Sequence, residues 1–209
     1  MARSPSQKPS KELVGYEPEH DLVLDPRKLK GLAHPIRLRL RGELVERGPA
    51  TASQLAARIG ESSGSTSYHL RQLAAHGLVV EEPRLGHGRE RYWRAVHRST
   101  WYVSSTEPAE REVGAEYIRA VAHTYADRIV RFANAVEAAP EILGTDWTDS
   151  WDISDWLLDL TPEQAAQLSQ DFHKLCAPYR HEPGSSPSRT RVVHVQFQIL
   201  PSPEDQSAP

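Results

Sequence analysis

Cysteine is almost missing from this chain. The single thiol, Cys176, excludes an internal disulfide framework and any multi-thiolate metal site built within one chain. No apolar run approaches the roughly 18 residues that span a bilayer. The opening stretch MARSPSQKPSKELVGYEPEHD has no apolar core of a secretory leader. These absences lead us to expect a cytoplasmic protein with no membrane partner. Catalytic signatures are missing too: there is no P-loop, no dinucleotide-binding glycine turn, no nucleophile elbow and no metal-hydrolase helix. The 10 histidines fall into neither HxH nor HxxxH spacing. We therefore expect no enzyme and no cofactor.

Acidic residues are scarce in one place only. The 209-residue chain has a net charge of −3, which argues against a polyanion partner. From Arg27 to Arg98, however, 14 basic residues face 6 acidic ones, so the basic surplus is confined to that segment. Arginine outnumbers lysine 20 to 5, which fits a GC-rich genome and needs no phosphate preference.

The most informative stretch is LAARIGESSGSTSYHLRQLAAHGLVV, from Leu55 to Val80. Leu55, Ala56 and Ile59 lie at helical spacing, and Gly60 ends that helix. Ser62 and Ser63 offer hydroxyl caps for a second helix, which turns Leu70, Leu73 and Ala74 inward. Ser65, Thr66, Ser67, Tyr68, His69, Arg71 and Gln72 make up its other face. No carboxylate stands among them, as suits a reader of phosphates and base edges. Gly77 stops the helix. The pattern predicts a helix-turn-helix whose reading helix spans 63–76 and enters the major groove.

The flanks extend this unit. Asp25-Pro26 starts a helix, and Leu29, Leu32, Ala33, Ile36, Leu40 and Leu44 follow at spacings of three or four. Pro35 should break that run, with Arg37, Arg39 and Arg41 on the exposed side of the second piece. Thr51 caps the next helix. Beyond the reading helix, Leu78–Glu81 and Arg91–Val96 read as the arms of a hairpin. Its connection, 83–89, carries Arg84 and Arg89, which should lie along a phosphate chain or enter a minor groove.

The pieces LAHPIRLRL, STSYHLRQLAAHGLV and the hairpin arm RYWRAV together resemble the winged-helix domain of ArsR-type bacterial transcriptional regulators, over about a third of the chain. The resemblance implies a dimeric DNA-binding regulator or repressor that responds to an effector. It places Ser65, Thr66, Ser67, His69 and Arg71 toward the groove and Arg84, Arg89 and Arg91 on the wing. Metal-sensing members carry a Cys-x-Cys in the motif's first helix; here Thr51–Leu55 has no thiol. Winged helices also serve as protein-interaction modules, since a fold does not fix a function.

After Val96 the character changes. His97 to Pro108 reads as a linker or extended segment, and Ala109 to Ala139 as one long helix closed by Pro140. Ile118, Val121, Tyr125, Ile129, Phe132 and Val136 form a near-heptad seam, for packing within the chain or for a homodimer. His123 and Asp127, four apart on that helix, are weak metal candidates; ion pairing of Asp127 with a neighbouring arginine competes, and we assign no metal. Trp147, Trp151 and Trp156 form either a small core or a pocket for a small-molecule effector. Ile153 to Asp159 reads as a strand, Thr161 as a helix cap with Ala165, Leu168, Phe172 and Leu175 facing inward, and Arg191 to Leu200 as an alternating strand.

The expected fold class is α+β, mainly α. Four divisions follow: a mostly disordered arm over 1–24, a winged helix-turn-helix over 25–98, a dimerisation and candidate effector region over 99–200, and a tail over 201–209. The expected partners are double-stranded DNA, a second copy of the chain and a candidate effector.

Overall fold

Prolines and capping side chains decide where the helices begin. The computed structural model describes residues 13–86, 90–136, 141, 144–147, 150–180 and 190–202. Helix α1 (Pro26–Leu32) opens on Asp25, whose carboxylate accepts the Lys28 N–H, with Pro26 in the first turn. Helix α2 (Pro35–Arg47) opens on His34, whose Nδ1 accepts the Ile36 N–H at 3.2 Å. The break expected at Pro35 is therefore present, with an imidazole as its cap. Helix α3 (Ala52–Ile59) carries a full capping box between Thr51 and Gln54. It ends on Gly60 at φ 73°, a left-handed conformation that an L side chain resists. Helix α4 (Ser63–Ala75) is capped by Ser62.

Among the described residues, five short strands frame these helices: β1 (Asp21–Val23), β2 (Ala50–Thr51), β3 (Val79–Glu81), β4 (Tyr92–Ala95) and β5 (Ser99–Trp101). Strands β2, β4 and β3 form an antiparallel sheet in that order, with Val79 opposite Ala95 and Ala50 opposite Trp93. The hairpin expected after the reading helix is thus formed.

Strands β1 and β5 pair in parallel, Leu22 opposite Thr100. This corrects the expected disorder for the part of the arm from Asp21 onward, and after Val96 the extended segment is present. Asp21 is buried and accepts the Glu17 N–H at 2.9 Å, while buried Leu24 donates its N–H to the Trp101 carbonyl. A three-residue strand with apolar neighbours suffices once a second segment supplies the ladder. Residues 1–12 of the arm lie outside the described residues.

The core takes one stripe from each helix: Leu29 and Leu32, Leu40 and Leu44, Leu55 and Ile59, Leu70 and Leu73, closed by Leu78, Val79 and Trp93. Gly31 lets α1 come close. A Cβ there would stand 2.7 Å from His76 Cβ and 2.9 Å from Leu78 Cδ1. Gly31→Ala is expected to destabilise by about 1–2 kcal/mol, because overpacking outweighs the gain in helix propensity. A higher urea midpoint in that variant would contradict the close approach.

Helix α5 (Pro108–Ala135) begins one residue before the expected start, and residues 137–139 of the expected helix lie outside the described residues. Gly114, Tyr117, Ala120 and Thr124 are buried, and Val113 and Val121 pack on the same core. The helix therefore belongs with α1 and α2 in one compact unit, Glu17–Asp149. The division expected at 98/99 does not separate two bodies.

The second unit comprises Met1–Tyr16 and Ser150–Pro209. Its helix α6 (Pro162–Cys176) shows the expected capping box between Thr161 and Gln164. Phe172 stacks on Phe197 with ring centroids 3.9 Å apart. Leu175, expected inward, is exposed. The strands expected over 153–159 and 191–200 have no ladder among the described residues. This corrects the expected strand-helix-strand unit: alternation supplies a strand's faces, but a strand also needs a neighbour for its backbone. The tail from 203 onward lies outside the described residues.

Candidate nucleic-acid interface

Helix α4 is held by its apolar stripe on the core, so its outer arc is set by subtraction. Ser63, Tyr68 and Arg71 are exposed, and Ser65, Ser67 and Gln72 are half-buried. Ser63, Ser67 and Arg71 fall four residues apart and share one face. Thr66 and His69 do not belong to that face. Both are buried, beside Leu70 and Leu73, which corrects their expected place toward the groove. The reason is width: α4 lies among several elements, and its buried arc extends past the leucines.

His69 instead contacts His34, ring centroids 4.6 Å apart, and meets Tyr68 edge-on at 5.2 Å. Burial pushes the pKa of both histidines down. Arg37 adds to this for both, and Glu61 opposes it. The neutral imidazole is the form this packing favours. His34 and His69 thus join the cap of α2 to the back of α4.

A cleft of about 430 Å³ opens beside the exposed face. Ser67 and Arg71 of α4, Thr51 and Ser53 at the start of α3, and Arg91 and Trp93 of the hairpin line it, together with Ala52 and Glu90. Sequence reasoning read Thr51 only as a cap and passed over Ser53. The signal was available, since the free N–H groups of a capped helix start suit an anion.

The arginines divide into two groups. Arg27 donates to the Ala75 carbonyl at the end of α4, Arg37 to the Lys30 carbonyl of α1, and Arg39 to the Ile59 carbonyl at the end of α3. Arg41 donates to the His97 carbonyl at 2.7 Å. Burial lowers its guanidinium pKa to about 10, against the opposing pull of Tyr117. None of Arg37, Arg39 and Arg41 stands fully exposed, which corrects their expected position. Arg37 and Arg39 fasten helix ends, where free carbonyls and the dipole attract a cation, and Arg41 fastens the segment between β4 and β5. On the hairpin, Arg91 pairs with Glu81 at 2.9 Å and Arg94 with Glu82 at 3.0 Å. Arg71 and Arg84 are exposed, and neither has a hydrogen bond or ion pair among the described residues. Arg89 lies outside the described residues.

The other candidate sites resolve differently. Along α5, Ile118 and Ile129 are about half exposed, and Tyr125, Phe132 and Val136 are half-buried. Val121 turns to the core, which corrects its expected place in the seam. Asp127 pairs with Arg131 at 2.8 Å, the ion pairing that competes with a metal. No group of three or more His, Cys, Asp or Glu is placed to hold a metal among the described residues. Trp147 falls in a short 3-10 turn of the first unit, while Trp151 and Trp156 are exposed in the second. At 77% exposure Trp156 neither fills a core nor closes a pocket within one chain. No helix among the described residues is long and apolar enough to cross a membrane.

Residues 32–82 match the family model of a helix-turn-helix domain. The match covers α2, α3, α4 and the first arm of the hairpin. No curated protein matches the chain.

Proposed function

We propose that this chain is a sequence-specific, dimeric transcriptional regulator of ArsR type, cytoplasmic and without catalytic activity. Helix α4 enters the major groove. The start of α3, Arg84 and Arg91 meet the phosphates on either side, the hairpin acting as a wing. Two protomers join along α5 over a palindrome, which sets the half-sites about one helical turn apart. The observation that carries the reading is the stripe of Ser63, Ser67 and Arg71, of which Ser67 and Arg71 line the same cleft as the capped start of α3. The hydroxyls and guanidinium supply donors for base edges, and the helix start supplies a phosphate seat.

A second reading, a winged helix that docks on another protein, draws on the Arg91–Glu81 and Arg94–Glu82 pairs, which lower the charge of the hairpin. Exposed pairs of this kind exchange readily for a phosphate. Selection of bound sites from a random duplex library separates the two readings. The expected outcome is a two-fold symmetric motif. Its affinity should fall by about a thousandfold or more between 50 and 200 mM salt, as for six or more neutralised phosphates. Failure to enrich any sequence would favour the protein-docking reading.

A further inference from the structure

Two imidazoles meet at the back of the reading helix, where α2 packs on α4. His69 is 8% exposed, and its Nδ1 is buried with no hydrogen-bond partner among the described residues. The His34 ring lies against it, centroids 4.6 Å apart. His34 Nδ1 accepts the Ile36 N–H, so that nitrogen carries no proton of its own. Neither ring is placed to take up a proton. On His34 it would set a donor against the backbone donor that the ring now caps. On His69 it would place a charge in a buried site with no acceptor. Charging both would press two cations together.

The charged and titratable groups around the pair come from three places. Arg37 of α2 opposes a positive charge on either ring, and Glu61, in the turn before α4, favours one more weakly. Tyr68 of α4 meets His69 edge-on. Burial outweighs all of them and holds both rings below the ordinary imidazole range. The contribution of the neutral pair is therefore full above about pH 6.5 and is lost as pH falls from there through the folded values.

We propose that this pair gates operator recognition by pH: acid charges the rings, parts α2 from α4 and moves the reading face, whereas uncharged side chains leave α4 seated on Leu70 and Leu73. The inference rests on the DNA-binding reading of α4 and adds a regulation to it. Its sign is opposite to that of general electrostatics. Below the isoelectric point of about 6.4 the net charge of the chain turns positive, which strengthens binding to any duplex. A group that must stay neutral works the other way. A ring that titrates near 6.5 once released, and stays neutral in the bound form, weakens binding by about tenfold at pH 5.5.

The full-length chain is titrated against the selected operator and a scrambled duplex at pH 7.5 and 5.5, at constant ionic strength. In acid the operator should lose about tenfold and the scrambled duplex nothing. His34→Asn keeps a cap acceptor for α2 without a titrating ring, and His69→Phe keeps a ring without a charge. A chain carrying both changes should bind the operator at pH 5.5 as tightly as at 7.5. His97, also lowered by burial, stands between β4 and β5, so His97→Asn should keep the acid loss. NMR of the unaltered chain needs neither DNA nor a variant: the ring signals of His34 and His69 and the amide signals of α4 should shift together as pH falls. Operator affinity that holds or rises in acid would overturn the proposal. So would an acid loss that survives in the double variant or vanishes in His97→Asn, or α4 amides that do not follow the two rings. A chain that binds neither duplex would sink the DNA-binding reading alone, because the NMR titration still decides whether the rings move α4.

Discussion

Arg71→Ala is expected to lower affinity for the selected operator by about ten- to a hundredfold, with the unfolding midpoint unchanged. Arg71 is exposed on α4, in line with Ser63 and Ser67, and makes no hydrogen bond or ion pair among the described residues. Its removal leaves no buried group unsatisfied, so stability should hold within about 0.5 kcal/mol. A guanidinium that reads guanine through O6 and N7 contributes about 1–3 kcal/mol of discrimination. Lysine should not rescue it, since a point charge lacks the two-pronged geometry. His69→Ala makes the opposite comparison. His69 is buried behind the same helix against His34, so its loss should lower stability and leave the base preference intact. Gel-shift titration against the operator and a scrambled duplex reads both. Equal losses on the two duplexes would make Arg71 a phosphate contact and move base reading elsewhere on α4.

That contrast shows how far the sequence could be read. Caps and periodicity are local, and they were legible: Asp25, Thr51, Ser62 and Thr161 each cap the helix they were expected to cap. The leucines of α1 to α4 point where their spacing says. The outward face of α4 was less legible, because polarity does not report exposure. Thr66 and His69 are polar and buried, and only the width of the surrounding packing decides that. Arg27, Arg37, Arg39 and Arg41 show a second limit. A surplus of positive charge counts residues, whereas half of such a surplus can be spent on backbone carbonyls, three near helix ends and one at His97, that come within reach only in the folded chain. The alternation over 191–200 shows a third, since it specifies two faces and says nothing of which backbone lies alongside.

Replacing Ile118 and Ile129 together with glutamate should weaken the dimer at least a hundredfold and abolish the preference for a full palindrome over a half-site. The periodicity predicted a seam through Val121, but Val121 packs on the core. Moving one position gives Ile118, Ala122, Tyr125, Ile129, Phe132 and Val136, with spacings of 4, 3, 4, 3 and 4. That is a heptad stripe along the side of α5 next to the one that carries Tyr117, Ala120 and Thr124. One helix thus carries two adjacent stripes, one for the chain's own core and one left open. Ile118 is 49% exposed and Ile129 47% in the single chain, so the substitutions should leave the helix-turn-helix folded. In a paired seam each would bury a carboxylate and lose apolar contact, twice over by symmetry. At about 1.5 kcal/mol or more per isoleucine side chain, a hundredfold is a lower figure. Sedimentation equilibrium gives the dissociation constant, and gel shifts on full and half-site duplexes give the preference. Half-site affinity should stay at its original value, because α4 and the cleft are untouched. If the full-site preference survives, α5 does not set the spacing of the reading helices. The two protomers would then be joined elsewhere.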